Sequence, residues 1–140
     1  MILFDTSVLS RIFRRRRPGP EELRLRASFE ALMRGEAPLG LPGIVLQEVL
    51  SGLPSEAAFR ELRARLLGAF TIVPASVDDH LEAARLRNVC LSKGANVSGI
   101  DCLIAAIAIA GGHALFTADA DFAAIRQHSR LELYAGHGLG

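Results

Sequence analysis

The stretch Asn96-Val97-Ser98-Gly99-Ile100-Asp101-Cys102-Leu103-Ile104-Ala105-Ala106-Ile107-Ala108-Ile109-Ala110 carries a single charge, on Asp101. From Ile100 onward every other side chain is apolar or small. A helix that is apolar all round belongs in a core. It is too short to cross a bilayer, which takes roughly 20 apolar residues. A carboxylate on such a helix needs a proton, a partner or a metal, because an unpaired buried charge is very costly. Local structure offers one explanation: Ser98 as N-cap with Asp101 three residues on, the spacing of a capping box. The acids elsewhere in the chain offer another.

At 140 residues the chain has the length of one domain with a substantial core, and half of its residues are apolar. Sixteen Lys and Arg against fifteen Asp and Glu leave a formal charge of +1, so no global charge points to nucleic acid. The distribution is uneven. Arg11, Arg14, Arg15, Arg16, Arg17, Arg24 and Arg26 stand close together against Glu21 and Glu22, and Lys93 is the only lysine. Cys90 and Cys102 lack metal-site spacing and a disulfide scaffold is not indicated, which fits a reducing compartment. The N-terminal Met1-Ile2-Leu3-Phe4-Asp5 has neither the basic region nor the length of a signal peptide. The expected compartment is the cytoplasm, with no membrane segment.

Working outward from the Asp101 helix, apolar strands alternate with helices. Ile2-Leu3-Phe4 runs into Asp5-Thr6-Ser7, a strand with a helix beginning at its end. Asp5 either caps that helix or stands at the carboxyl end of a strand, where open α/β sheets place their ligand crevices. Arg14, Arg15, Arg16 and Arg17, then Pro18-Gly19-Pro20, predict an exposed loop, either a solvated face or a phosphate-contacting one. A helix over 20–34 carries Leu25, Phe29, Leu32 and Met33 on one stripe. A weak strand at 38–41 precedes a helix over 44–53 that puts Val45, Val49 and Leu50 on one side and Gln47, Glu48 and Ser51 on the other. Glu48 is thus a solvated acid or one aimed into a cleft. A helix over 55–69, a strand at 70–73 and a helix opened by a Ser76–Asp79 capping box follow, the last with Val77, Leu81, Ala84 and Leu91 as its inner stripe. Gly111-Gly112 ends the Asp101 helix. Ala114-Leu115-Phe116 then leads into Thr117-Ala118-Asp119-Ala120-Asp121-Phe122, repeating the N-terminal grouping of apolar strand, hydroxyl, acid and helix, with the hydroxyl now ahead of the acid. A strand at 131–134 closes the pattern. No histidine has a catalytic spacing.

This alternation predicts an α/β fold with a mostly parallel sheet of roughly five strands and right-handed crossovers. Two strand ends then carry Asp5, Asp119 and Asp121, and two helices carry Glu48 and Asp101. Two carboxylates about 4 Å apart repel by roughly 4 kcal/mol at an effective dielectric of 20. A convergent set would therefore call for a hard divalent cation such as Mg²⁺ or Mn²⁺, which takes oxygen ligands and serves phosphodiester chemistry.

The sequence resembles a PIN-domain ribonuclease of the VapC type, the toxin of VapBC toxin–antitoxin pairs. The matching elements are Ile2-Leu3-Phe4-Asp5-Thr6-Ser7, Ile44-Val45-Leu46-Gln47-Glu48-Val49-Leu50, Gly99-Ile100-Asp101-Cys102-Leu103-Ile104-Ala105-Ala106 and Leu115-Phe116-Thr117-Ala118-Asp119-Ala120-Asp121-Phe122, in family order. The resemblance implies a PIN-like α/β/α sandwich and a Mg²⁺- or Mn²⁺-dependent endoribonuclease. Asp5, Glu48, Asp101 and Asp119 are then its metal-binding and catalytic acids. Asp121 shares the metal or is structural, and Thr6, Ser7 and Thr117 support the site. It implies in-line attack by metal-activated water on an RNA phosphodiester, leaving 5′-phosphate and 3′-hydroxyl ends. It also implies a homodimer, and a VapB-type antitoxin that plugs the acidic groove, in a larger hetero-oligomer.

Two other readings stand beside this one. An aspartyl-phosphate enzyme fits the position of Asp5, but phosphatases of the haloacid dehalogenase type need Asp-x-Asp where this chain has Asp5-Thr6-Ser7. A catalytically silent PIN-like module binding RNA or protein is the second, against which the intact acid set argues. The arginine run lies outside the family's catalytic pattern, and its role in gripping RNA, together with Arg11, follows from charge alone. Replacing Arg14, Arg15, Arg16 and Arg17 with serine is expected to raise KM for RNA and to flatten its salt dependence; an unchanged salt slope would contradict that role.

Overall fold

The structure, a computed structural model, describes residues 1–14 and 19–135. Arg15, Arg16 and Arg17 lie outside the described residues. The elements in order are β1 (Ile2–Phe4), α1 (Thr6–Arg14), α2 (Pro20–Arg34), β2 (Leu39–Pro42), α3 (Gly43–Leu50), α4 (Glu56–Ala69), β3 (Thr71–Val73), α5 (Val77–Ser92), α6 (Gly99–Gly111), β4 (Ala114–Phe116), α7 (Asp121–Gln127) and β5 (Glu132–Leu133). All strand pairs are parallel, in the order β3-β2-β1-β4-β5. Seven helices flank the sheet among the described residues, as a PIN-like α/β/α architecture requires.

Parallel strands bury both faces, and the central pair does so here. Leu3 and Phe4 of β1, and Leu115 and Phe116 of β4, are fully buried. Phe4 sits at the middle of an aromatic group, its ring centroid 5.0 Å from Phe70, 5.1 Å from Phe116 and 5.8 Å from Phe29. Because β1 lies between β2 and β4, the chain leaves it in one direction and returns on its other side. That reversal opens a crevice beyond the carboxyl ends of β1 and β4, where ligands of open α/β sheets bind.

The helices begin and end where their residues dictate. Ser76 accepts from the Asp79 N–H at 3.1 Å while Asp79 accepts from the Ser76 N–H at 2.9 Å, completing the expected capping box. Ser98 accepts from the Asp101 N–H at 3.0 Å and starts α6. Gly112 ends α6 with φ +66° and ψ +30°, a left-handed conformation that suits glycine. Cys102 and residues 104–108 of α6 are buried, so its apolar run forms core as expected.

Two stripes differ from expectation. On α5, Val77 (76% exposed), Leu81, Ala84 and Leu91 face outward, and Asp79, Ala83 and Cys90 face inward. The helix has apolar residues on both sides. Its capping box fixes Asp79 inward, and its packing along the alanine-rich α6 suits the small side chains Ala83 and Cys90. Met33 leaves the α2 stripe as well, standing 42% exposed at the last turn while Leu25 and Leu32 are buried. The third helix ends at Leu50 rather than Leu53, and the sheet is parallel throughout rather than mostly so.

Gly112→Ala should cost about 1–2 kcal/mol, the penalty of a Cβ in the left-handed region, read as a lower urea midpoint with an unchanged slope. An unchanged midpoint would mean that the helix end relaxes freely.

Candidate functional site

Asp5 follows β1 directly and is 3% exposed, and three donors meet its carboxylate. Ser7 Oγ donates to Asp5 Oδ1 at 2.7 Å, Thr117 Oγ1 donates to Asp5 Oδ2 at 2.8 Å, and the Val8 N–H reaches Oδ1 at 3.4 Å. The last contact is the helix cap foreseen from sequence, so Asp5 caps α1 and faces the crevice at once. The two hydroxyls are themselves anchored: Ser7 Oγ accepts from the Ala118 N–H at 2.9 Å and Thr117 Oγ1 from the Asp119 N–H at 3.0 Å. The ends of β1 and β4 are thereby cross-linked by side chains.

The acid-bearing turn after β4 is equally determined. Asp119 Oδ1 accepts from the Asp121 N–H at 2.9 Å, so the one-residue spacing makes a turn that presents both carboxylates. Asp101, on the first turn of α6, meets them there. Asp101, Asp119 and Asp121 each offer an oxygen, and these lie within 4.8 Å of one another.

The electrostatics tie Asp5 to this group. Burial pushes the Asp5 carboxyl up to about 6, against the pull of its hydrogen bonds from Ser7, Thr117 and Val8, and the charge of Asp119 adds to the rise. Asp101 is also raised to about 6, by burial first and then by Asp119, with Asp5 and Asp121 adding to it and the Ser98 hydrogen bond opposing. Asp5 and Asp101 are thus destabilised in their charged forms by burial, and the charge of Asp119 adds to it in both. Glu48 is placed differently. It is half-buried on α3, where Thr6 Oγ1 donates to its Oε1 at 2.9 Å, and it is not among the three acids that meet. Thr6 is the residue after Asp5, so this bond sets Glu48 against the same strand end.

The donor set fits a hard divalent cation. Oxygen ligands bind Mg²⁺ or Ca²⁺-sized ions at 2.0–2.6 Å, so donors across such an ion lie roughly 4–5 Å apart, the span that these carboxylates occupy. A thiol nucleophile is not supported: burial pushes the Cys102 thiol up to about 11 and raises Cys90 as well. Arg11 is half-exposed on α1 and pairs loosely with Glu21 at 3.9 Å. Sequence reasoning passed over Tyr134, which was legible only as the end of a strand. Its position just after the fifth strand, on the same carboxyl edge, was the available signal.

A family model described as PIN domain matches residues 2–127. This chain belongs to the PIN domain family. Among solved structures, this PIN domain is similar to FitAcB from Neisseria gonorrhoeae, at 24% identity over 96% of this chain and 97% of that one, with a TM-score of 0.74. It is also similar to a toxin–antitoxin complex from Klebsiella pneumoniae (24% identity, 88% and 91% covered, TM-score 0.67). A third is VapC20 of Mycobacterium tuberculosis, a sarcin–ricin loop cleaving toxin (16% identity, 89% and 94% covered, TM-score 0.69).

A carboxyl raised in the folded state costs nothing where both states are protonated, and its cost builds as pH rises from the ordinary value of 3.8 to about 6 and is complete above that. In EDTA, Asp101→Asn should therefore raise Tm at pH 7.5, and the gain should fall to roughly half at pH 5. A gain that is absent at pH 7.5, or equal at both values, would contradict the raised Asp101 carboxyl.

Proposed function

We propose that this PIN domain is a metal-dependent endoribonuclease, the toxin of a toxin–antitoxin pair. The observation that carries the reading is the meeting of Asp101, Asp119 and Asp121 at the crevice where Asp5 ends the central strand. Asp5, Asp101, Asp119 and Asp121 hold a Mg²⁺ or Mn²⁺ ion, and Glu48 completes the acid set from α3. When bound, such an ion supplies Lewis acidity, activating water and offsetting charge on a phosphodiester. The chain's own contribution is orientation. Ser7 and Thr117 commit their hydroxyl protons to Asp5, leaving its carboxylate fixed between the two strand ends. Thr6 holds Glu48 in one rotamer. Fixing donors in advance is what makes such a site selective and fast.

The similarity to a toxin–antitoxin complex supports an antitoxin as partner. The likeness to a toxin that cleaves the sarcin–ricin loop supports RNA as substrate. Val77, Leu81 and Ile100 stand exposed at the start of α5 and α6, which supports a homodimer that covers them.

The test is to incubate the purified protein with total RNA and end-labelled transcripts in Mg²⁺, in Mn²⁺ and in EDTA, beside Asp101→Asn and Thr6→Val. Cleavage at discrete positions should require metal and fall at least about 100-fold in Asp101→Asn. Thr6→Val should lose roughly 10-fold, restored in part by more metal, as outer-shell changes do. If neither metal gives cleavage above Asp101→Asn, the chain is a silent binding module.

A further inference from the structure

Beside the acids, the carboxyl edge of the sheet holds a second recess. It is a cleft of about 230 Å³ whose walls include Arg11, Glu21, Leu25, Ala118, Leu133 and Tyr134. Thr117 and Ala118 belong to both places. Thr117 donates to Asp5 and the Ala118 N–H to Ser7, while both residues also line the cleft. The cleft thus adjoins the strand ends that carry Asp5 and Asp119.

The lining has the chemistry of a base pocket. Tyr134 is half-buried, its ring centroid 5.4 Å from that of the buried Phe116, and its N–H donates to the Leu115 carbonyl at 2.8 Å. The ring is thus held in place before any ligand arrives. Leu25, Leu133 and Ala118 add apolar walls. At the rim, Arg11 Nη1 and Glu21 Oε2 stand 3.9 Å apart, too far for a hydrogen bond, so donor fork and acceptor are not used up on each other. An aromatic platform with a donor and an acceptor at its edge is how proteins take an unstacked base from single-stranded RNA.

We propose that this cleft is a nucleobase subsite, in which Tyr134 stacks on a base next to the cleaved phosphodiester and Arg11 and Glu21 read that base's polar edge. The inference rests on the nuclease reading for the strand that enters it. It makes Tyr134, Arg11 and Glu21 determinants of which RNA position is cut.

Tyr134 is the only tyrosine and the chain has no tryptophan, so its ring can be observed alone. The protein, carbon-13 labelled in its tyrosine ring, is titrated in EDTA with a mixed-sequence hexaribonucleotide and with the same backbone made abasic. The Tyr134 ring signals should shift with the base-bearing strand and stay in place with the abasic one. Tyr134→Ala should weaken binding of the base-bearing strand by roughly 10-fold or more, Tyr134→Phe should retain it, and Glu21→Gln should change the base preference at the cut. A shift caused by the base-bearing strand without any cleavage in Mg²⁺ or Mn²⁺ would keep the subsite and remove the nuclease. Metal-dependent cleavage with unmoved ring signals and an unchanged cut pattern in Tyr134→Ala would do the reverse. Signals that answer to a peptide and not to RNA, or an absence of RNA binding altogether, would overturn the subsite.

Discussion

Like charges held close together resist folding, and this chain folds so as to bring four of them to one edge. Asp5 ends the central strand, Asp119 and Asp121 follow the strand beside it, and Asp101 begins the helix between. The raised carboxyls of Asp5 and Asp101 express the cost of burying acids there, to which the charge of Asp119 adds. The rest of the fold is what makes it tolerable. A parallel sheet with a buried aromatic centre around Phe4 fixes the strand ends, and the hydroxyls of Ser7 and Thr117 supply Asp5 with donors that water would otherwise supply.

The hydroxyls explain why an apolar strand, a hydroxyl and an acid recur together at both ends of the chain. At β1 the hydroxyl of Ser7 reaches back to Asp5 and across to the Ala118 amide; at β4 that of Thr117 reaches across to Asp5 and forward to the Asp119 amide. The two segments, more than a hundred residues apart, each satisfy polar groups of the other. A cation at this edge would relieve the remaining repulsion, linking metal binding to the stability of the whole sheet.

Much of this was legible in the sequence because the controlling features are local. Unbroken apolar triplets such as Ile2-Leu3-Phe4 and Ala114-Leu115-Phe116 mark strands buried on both faces, and the acids that follow within three residues, Asp5 and Asp119, mark the carboxyl edge. The orientation of α5 was not legible. Val77, Leu81 and Leu91 form as plausible a stripe as Ala83, Leu86 and Cys90, and only the packing along α6 decides between them. The partner of Glu48 was hidden for a related reason. Nothing in the spacing of Thr6 and Glu48 shows that α1 and α3 lie side by side, though each residue alone could be placed near a strand end. Tyr134 escaped because a lone aromatic residue after a strand looks the same whether it fills a core or lines a cleft.

The central claim is that the acids at the β1–β4 edge hold a divalent cation, and calorimetric titration with Mn²⁺ at pH 5.5 and 7.5 tests it most directly. One site should be seen, tighter at the higher pH, with protons released on binding at the lower pH because Asp5 and Asp101 must give them up. Asp101→Asn should weaken it. Binding that is absent at millimolar Mn²⁺, or present but indifferent to both pH and Asp101, would contradict the account.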